Sequence, residues 1–344
     1  MSVKKLTDPL PIPSEWHAGY SDEDKAGVIK IIEWINTHAK PQLYVSRLAR
    51  INTSTFNSIL SGRYVSPPGK HIARALDALD RHDQRERAGR YPFVRTSVSD
   101  VVFAACHSAH TDGAMAIATG VSGTGKTSAA KEYARRNQNV FLVEAEPGMN
   151  AGDLLEDICA QAKVSTRGTS KNVRASKRKM FRQLVAELRG SRSLIILDEA
   201  ETVQDQALEY LRRLRDKAGI GVALIGRDDL EDIIRPHDGV FDQLRSRVGF
   251  WTNPVTAITR EDCDALVQAA FADQDEIPEE VMDILWAYSE GSARTLLEQL
   301  CLKAQQLGTN KGHALSPALI HKIATEVLRM KPKAFKPNAQ KVAA

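Results

Sequence analysis

Between residues 98 and 258, short apolar runs alternate along the chain with segments of helical periodicity. The apolar runs lie at residues 114–119, 140–143, 194–197, 221–226 and 249–252. Runs of this length and composition predict strands that are buried on both faces, as in a parallel sheet. Strands separated by helices in this way predict an α/β domain with a doubly wound parallel sheet.

The regions on either side of this block show different patterns. Residues 21–83 and 259–330 carry apolar positions at helical spacing, so both blocks are predicted to be all-helical. Residues 84–97 are charged, contain few apolar positions and include Gly89 and Pro92, which favours a linker. A polar segment, residues 1–20, precedes the first helical block, and a basic tail, residues 331–344, follows the last one.

The composition is that of an ordinary globular protein. The chain has 344 residues, of which 42% are hydrophobic and 26% charged, and its net charge is +4. Such a balance is compatible with a nucleic-acid partner without indicating one. The four cysteines are far apart, no apolar run is long enough to span a bilayer, and the start of the chain has no apolar signal segment. A cytoplasmic protein without a membrane partner is therefore expected.

A phosphate-binding loop follows the first predicted strand. Its residues match G-x-x-x-x-G-K-[ST] in full: Gly120, Val121, Ser122, Gly123, Thr124, Gly125, Lys126 and Thr127. The glycines let backbone N–H groups surround an anion, and the helix expected from about residue 126, which includes Ser128, adds its positive N-terminal dipole. Lys126 is predicted to bind the β- and γ-phosphates of ATP, and the Thr127 hydroxyl to bind Mg²⁺. The alternative is a chance glycine-rich turn.

Two acids end the third predicted strand, in the pattern known as Walker B. Asp198 is predicted to bind Mg²⁺, and Glu199 to orient or deprotonate the attacking water. The alternative interpretation is that both acids only balance the dipole of the following helix. Their position downstream of a complete phosphate loop favours the catalytic interpretation.

The order of these motifs resembles that of AAA+ ATPases, in which a helical lid follows the nucleotide-binding domain. The resemblance assigns residues 98–258 to the nucleotide-binding domain and residues 259–330 to the lid. In the lid, Gly291-Ser292-Ala293-Arg294 matches the family's second sensor, so Arg294 is the expected sensor arginine. Arg245 and Arg247 stand where a trans-acting arginine finger is expected. The alternative for Arg294 is a surface arginine that follows a helix cap. The alternative for Arg245 and Arg247 is a solvated basic turn.

One position departs from the AAA+ pattern. The family's first sensor is usually Asn, Ser or Thr at the end of the fourth strand, but this chain has Gly226-Arg227-Asp228 there. Arg227 could substitute for the usual residue. Slow hydrolysis, or hydrolysis that depends on a partner, would be one consequence.

The N-terminal helical block resembles a repressor-type helix-turn-helix. Apolar residues of the second helix, Phe56, Ile59 and Leu60, fall on one face, while short polar residues fall largely on the other. Within residues 21–83, the predicted DNA contacts are made by Thr53, Ser54, Thr55 and Asn57. Arg47 and Arg63 are predicted to contact phosphates. Arg50 and Lys70 would add phosphate contacts. The alternative is a helical module for protein contact.

A second basic segment lies between the second and third strands. It contains Arg167, Lys171, Arg174, Lys177, Arg178, Lys179 and Arg182, with no acid to offset them. Such a run can follow a phosphate backbone without reading the base sequence. A solvated helix face is the alternative, because charge runs usually are solvated.

A helix-turn-helix before a single AAA+ module resembles the transposition protein B family of phage Mu and related phages. The resemblance covers nearly the whole chain and rests on residues 48–64, the phosphate loop, Walker B and Arg294. It implies ATP-dependent assembly into a helical filament, or a ring, on duplex DNA largely without sequence preference. It also implies delivery of target DNA to a transposase, and a slow ATPase stimulated by DNA and transposase.

Other classes of function remain open at this point. A replication initiator or helicase loader usually carries its helix-turn-helix after the lid, whereas here it precedes the ATPase. A secretion or signalling ATPase would use residues 21–83 for protein contact and show no dependence on DNA. A transcriptional regulator would bind one operator far more tightly than random DNA.

Overall fold

The computed structural model describes residues 9–87, 91–166, 175–235, 241–274, 276–308 and 314–332. The chain divides into two compact units, Met1–Tyr91 and Pro92–Ala344. Each unit has its own buried apolar cluster, which accounts for the division.

The first unit is built from four helices. They are α1 (Asp22–Thr37), α2 (Gln42–Leu48), α3 (Thr53–Leu60) and α4 (Gly69–Arg87). A capping box formed by Ser21 and Asp24 begins α1, and the Asn52 side chain caps α3 by accepting a hydrogen bond from the Ser54 N–H. Ile31 and Ile35 of α1 and Phe56 of α3 are fully buried, so the helices share one core.

The predicted linker, residues 84–97, is longer than the segment between the two helices in the structure. Helix α4 continues to Arg87, and α5 (Ser97–Asp112) begins at the last residue of the predicted linker. The exposed pair Asp77–Arg81 supports α4 at i,i+4 spacing. A charged surface helix and a charged linker have similar compositions, which is why composition placed the start of the linker too early.

The second unit contains a five-stranded parallel sheet in the order β2-β3-β4-β1-β5. The strands are β1 (Met115–Thr119), β2 (Val140–Glu144), β3 (Leu194–Asp198), β4 (Gly221–Gly226) and β5 (Val248–Trp251). Every residue of β1, β3 and β4 is buried, as their continuous apolar sequences require. The predicted α/β fold with a doubly wound parallel sheet is confirmed.

Helices cover both faces of this sheet. Besides α5, they are α6 (Lys126–Arg136), α7 (Ala151–Gln161), α8 (Lys177–Leu188), α9 (Asp205–Ala218), α10 (Asp229–Ile234) and α11 (Asp242–Arg245), with a 3-10 turn at Ala200–Thr202. Helices α5 and α6 contribute to one apolar cluster, and α7, α8 and α9 contribute to another. Because all strands are parallel, the segments that follow β1, β3 and β4 meet at one edge of the sheet.

The segment after β5 is helical. Its elements are α12 (Arg260–Ala270), α13 (Glu279–Ser289), a π-helical stretch at Thr295–Cys301, α14 (Leu302–Leu307), α15 (Pro317–Lys322) and a second π-helical stretch at Ile323–Val327. Asp262 of α12 accepts hydrogen bonds from the N–H and the hydroxyl of Ser97, at 2.8 and 2.5 Å. This buried carboxylate ties the helical segment to the start of α5.

None of the helices within the described ranges is both long enough and apolar enough to cross a bilayer.

Candidate nucleotide-binding site

The phosphate loop joins β1 to α6 at the carboxyl edge of the sheet. Gly125, at the N-cap of α6, has a φ of 106°, a conformation that a side chain would strain. Since glycine has no side chain, α6 has no side-chain cap, and the N–H groups of its first turn point towards the loop. This is the arrangement that binds a phosphate at a helix N-terminus.

The helical segment contacts the phosphate loop directly. The Arg294 N–H donates to the Gly123 carbonyl at 2.9 Å, and the Arg294 Nη1 lies 3.5 Å from the Ser122 Oγ. Gly123 has a φ of 84°, and a Cβ there would lie 2.8 Å from the Ser292 Oγ. The structure therefore brings the predicted sensor arginine to the loop, as a lid over a nucleotide requires.

Lys126 is buried at the centre of the loop. Its Nζ donates to the carbonyls of Gly120 and Val121, at 2.6 and 2.9 Å. Burial lowers the pKa of Lys126, and the carboxylates of Asp198, Glu201 and Asp228 oppose that shift. A nucleotide phosphate would give this desolvated ammonium group a stronger, charged partner than the two carbonyls.

Asp198 is only 3% exposed and lies at the end of β3, with Thr127 as a hydrogen-bond partner. Burial raises the pKa of Asp198, and the charges of Glu199 and Glu144 raise it further. The hydroxyl and carboxylate oxygens of this pair fit Mg²⁺, which would offset the crowded negative charge. Across the described residues no three His, Cys, Asp or Glu side chains converge on one metal site.

The raised pKa of Asp198 has a consequence for stability. The folded protein binds this proton more tightly than the unfolded chain, so the contribution is greatest below the usual pKa of 3.8. It is lost as the pH rises through the raised folded value. We therefore expect Asp198→Asn to raise the melting temperature at pH 7.5 without ligand, and to remove most stabilisation by Mg-ATP. Thermal unfolding with and without Mg-ATP measures both. A lower melting temperature without ligand would contradict this account.

Glu199 is exposed beside the buried Asp198. Its backbone is left-handed, with a φ of 55° and a ψ of 39°, which costs a non-glycine residue about 1–3 kcal/mol. The Glu199 carbonyl accepts from the N–H and hydroxyl of Thr202, at 2.9 and 2.8 Å, and these bonds hold the strained turn. The turn presents the carboxylate to solvent at the sheet edge, where an attacking water would stand. Its role as a base stays a prediction.

The two candidate arginine fingers have partners within their own chain. Arg247, directly before β5, lies 3.4 Å from the Asp216 carboxylate, and Arg245 at the end of α11 lies 3.2 Å from the Asp242 carboxylate. Both side chains remain partly exposed. The finger role of either arginine stays a prediction.

Glu201 is a residue of this site that the sequence analysis did not single out. Its side chain is only 5% exposed, and it accepts hydrogen bonds from the Arg227 N–H and Nε at 3.2 and 3.1 Å. The sequence signal was an acid two positions after Walker B, which is equally typical of a solvated helix start.

The predicted DNA-contacting residues lie in two places. In the first unit, Arg47, Asn57 and Arg63 are exposed, but Thr53 and Ser54 hydrogen bond to Ser46 and Asn52. In the second unit, α8 exposes Lys177, Arg178, Lys179 and Arg182. Arg167, Lys171 and Arg174 lie outside the described residues.

Comparison with known proteins agrees with this geometry. Residues 109–234 match the protein family described as AAA domain. Cdc6p from Pyrobaculum aerophilum has a similar fold, with a TM-score of 0.54, 16% identity and 70% of each chain covered. The fold, the phosphate loop and the acids at its edge define an ATPase site of the P-loop class, and residues 109–234 are similar to the AAA domain family.

Two relatives indicate which kind of ATPase this chain resembles. The chain is 28% identical over 249 residues to the Mu-like prophage FluMu DNA transposition protein B of Haemophilus influenzae, covering 70% of this chain and 84% of that protein. It is 27% identical over 204 residues to the ATP-dependent target DNA activator B of Escherichia phage Mu, covering 59% of this chain and 62% of that protein. The resemblance to transposition protein B is confirmed.

Proposed function

We propose that this protein is a DNA-dependent ATPase of phage transposition, which assembles with ATP on duplex DNA and delivers target DNA to a transposase. The names of its relatives, a DNA transposition protein and a target DNA activator, support this role. The observation that carries it is the presence, in one chain, of a complete ATP site and two exposed surfaces suited to DNA. Its four cysteines are free and buried, which suits the reducing cytoplasm of a host cell.

The first surface surrounds α3 in the N-terminal unit. Arg47 and Arg63 are exposed near the ends of the helix-turn-helix, and Asn57 is exposed in the middle of α3. Ser54 and Asn57 are exposed and Thr53 and Thr55 partly exposed, while the Thr53 and Ser54 hydroxyls also hydrogen bond to Ser46 and Asn52. Three short hydroxyl side chains and one amide give little discrimination between bases, so phosphate contacts would dominate and sequence preference would be weak.

The second surface is the basic face of α8. The buried residues Met180, Leu184 and Leu188 fix this helix on the sheet, and its first turn points Lys177, Arg178 and Lys179 into solvent. Ser176 caps the helix by accepting from the Lys179 N–H. The charges are therefore carried by an ordered element, which can follow a phosphate backbone.

ATP would couple these surfaces to assembly. In the proposed filament or ring, Lys126, Thr127 and Asp198 bind Mg-ATP in one subunit, and Arg245 or Arg247 of the next subunit approaches the γ-phosphate. That closes the interface and aligns the basic surfaces along DNA. Glu199 then orients the attacking water, and loss of the γ-phosphate weakens the interface. Arg294 moves with the lid and contacts the bound nucleotide.

A double substitution on each surface tests DNA binding. We expect Arg178→Ala with Arg182→Ala, and separately Arg47→Ala with Arg63→Ala, to weaken binding to random duplex DNA in the presence of ATP. Each lost phosphate contact should reduce the slope of log affinity against log salt by about one. Fluorescence anisotropy over a salt series measures both quantities.

The matched control is Arg213→Ala, which removes an exposed arginine on α9 that pairs with Glu209. It should leave the salt slope unchanged. If both double variants bind DNA like the unsubstituted protein, the basic surfaces are solvated faces. A role in secretion or signalling, with the N-terminal unit contacting protein, then becomes the better account.

A further inference from the structure

The end of β4 has an arrangement that the phosphate loop alone does not explain. The Gly226 carbonyl accepts a hydrogen bond from the Gly120 N–H at 3.2 Å, so the last residue of β4 adjoins the first residue of the phosphate loop. AAA+ ATPases usually carry a short polar side chain near this position, but Gly226 has none. The space is occupied instead by Glu201, since a Cβ on Gly226 would overlap the Glu201 Oε2.

Glu201 is a buried acid that needs a partner. Its side chain is 5% exposed, and a carboxylate so far removed from water is stable only when paired and hydrogen-bonded. Arg227 supplies both partners, its backbone N–H and its Nε. The acid thus fixes the backbone and the side chain of the residue that follows β4.

Arg227 is held from a second side as well. Its Nη2 donates to the Asp229 carboxylate at 2.5 Å. Within the described residues, its Nη1 has no hydrogen-bond partner, and the side chain is 58% exposed. A guanidinium fixed at two nitrogens, with a third still able to donate, is preorganised to bind a further anion.

This arrangement lies next to the ATP site. The Gly120 peptide links the two, because its N–H donates to the Gly226 carbonyl at 3.2 Å and its carbonyl accepts from the Lys126 Nζ at 2.6 Å. A γ-phosphate held by Lys126 would therefore lie close to the end of β4 and to Glu201. An unpaired acid there would repel the phosphate, whereas an acid paired with Arg227 would not.

We propose that Glu201 is a positioning residue of the ATPase site, which with Asp229 holds Arg227 at the end of β4 so that its free Nη1 binds the γ-phosphate. Arg227 then performs the task of the missing polar side chain. The inference depends on the ATPase activity and not on the proposed binding of DNA. Hydrolysis measured without DNA therefore tests it separately.

The test compares three variants by turnover and by the affinities for ATP and ADP. Glu201→Gln should lower kcat about tenfold without weakening ATP binding, because Arg227 loses its ionic partner while a negative charge near the phosphate is removed. Arg227→Gln should lower kcat at least as much and weaken ATP binding by about tenfold relative to ADP. The double variant should be no slower than Arg227→Gln alone, since Glu201 acts through Arg227.

Two substitutions serve as matched controls. Glu187→Gln removes an exposed acid of α8, and Arg213→Gln removes an exposed arginine of α9. Both should retain kcat within about twofold, and melting temperatures identify any variant that fails to fold. If Glu201→Gln does not fold, Arg227→Gln alone decides, through its ratio of ATP to ADP affinity.

Two results would overturn the proposal. One is an Arg227→Gln variant whose ratio of ATP to ADP affinity equals that of the unsubstituted protein. The other is a double variant whose loss of kcat equals the product of the two single losses. Independent effects of that kind would mean that Glu201 does not act through Arg227.

Discussion

Replacement of Lys126 by alanine is expected to abolish nucleotide binding at ordinary ATP concentrations. The buried ammonium group is the charge closest to the phosphate loop backbone, with its Nζ on the Gly120 and Val121 carbonyls. Its loss should leave a bound triphosphate without its main cationic partner, at a penalty of roughly 3 kcal/mol or about 100-fold in affinity. Titration calorimetry with Mg-ATP, together with nucleotide-dependent light scattering, measures binding and assembly.

The control for this variant lies on the same helix. Lys131→Ala removes an exposed lysine of α6 that pairs with Glu144 at 2.9 Å, and it should bind ATP normally. Tight ATP binding by Lys126→Ala would mean that the phosphates do not lie in this loop. The assignment of the site would then be wrong.

The second large effect is expected at Glu199. Glu199→Gln should bind ATP as tightly as the unsubstituted protein but hydrolyse it about 100- to 1,000-fold more slowly, because the amide cannot accept the proton of water. Glutamine has nearly the same size, so the strained left-handed turn is retained. Single-turnover hydrolysis measures the chemical step apart from product release.

Turnover of Glu199→Gln within a few-fold of normal would remove Glu199 from the catalytic role. Glu187→Gln, on the exposed face of α8, is the matched control. If ATP hydrolysis causes the proposed assembly to come apart, Glu199→Gln should also remain bound to DNA after ATP is diluted.

Local signals in the sequence predicted much of this architecture. Each end of the five strands lies within one residue of its predicted position. The uninterrupted apolar runs predicted burial on both faces, which is correct for β1, β3 and β4 but wrong for the edge strands β2 and β5, whose residues are mostly half-buried. The phosphate loop could also be predicted from the sequence, because its glycines shape the loop backbone and Lys126 lies beside them in the chain. Helix α6 begins at Lys126, where the sequence predicted its start.

Long-range pairings could not be predicted in the same way. That the Arg294 N–H reaches the Gly123 carbonyl depends on how the lid folds back, which its sequence spacing does not define. The burial of Glu201 depends on the absence of a side chain at Gly226, and these residues belong to different elements.

The most direct test of the proposed function is the steady-state ATPase rate with and without random-sequence duplex DNA, at one fixed low salt concentration. We expect DNA to raise the rate several-fold, and the Arg178→Ala, Arg182→Ala double variant to lose part of this stimulation. A rate that is measurable but indifferent to DNA would contradict the proposed function.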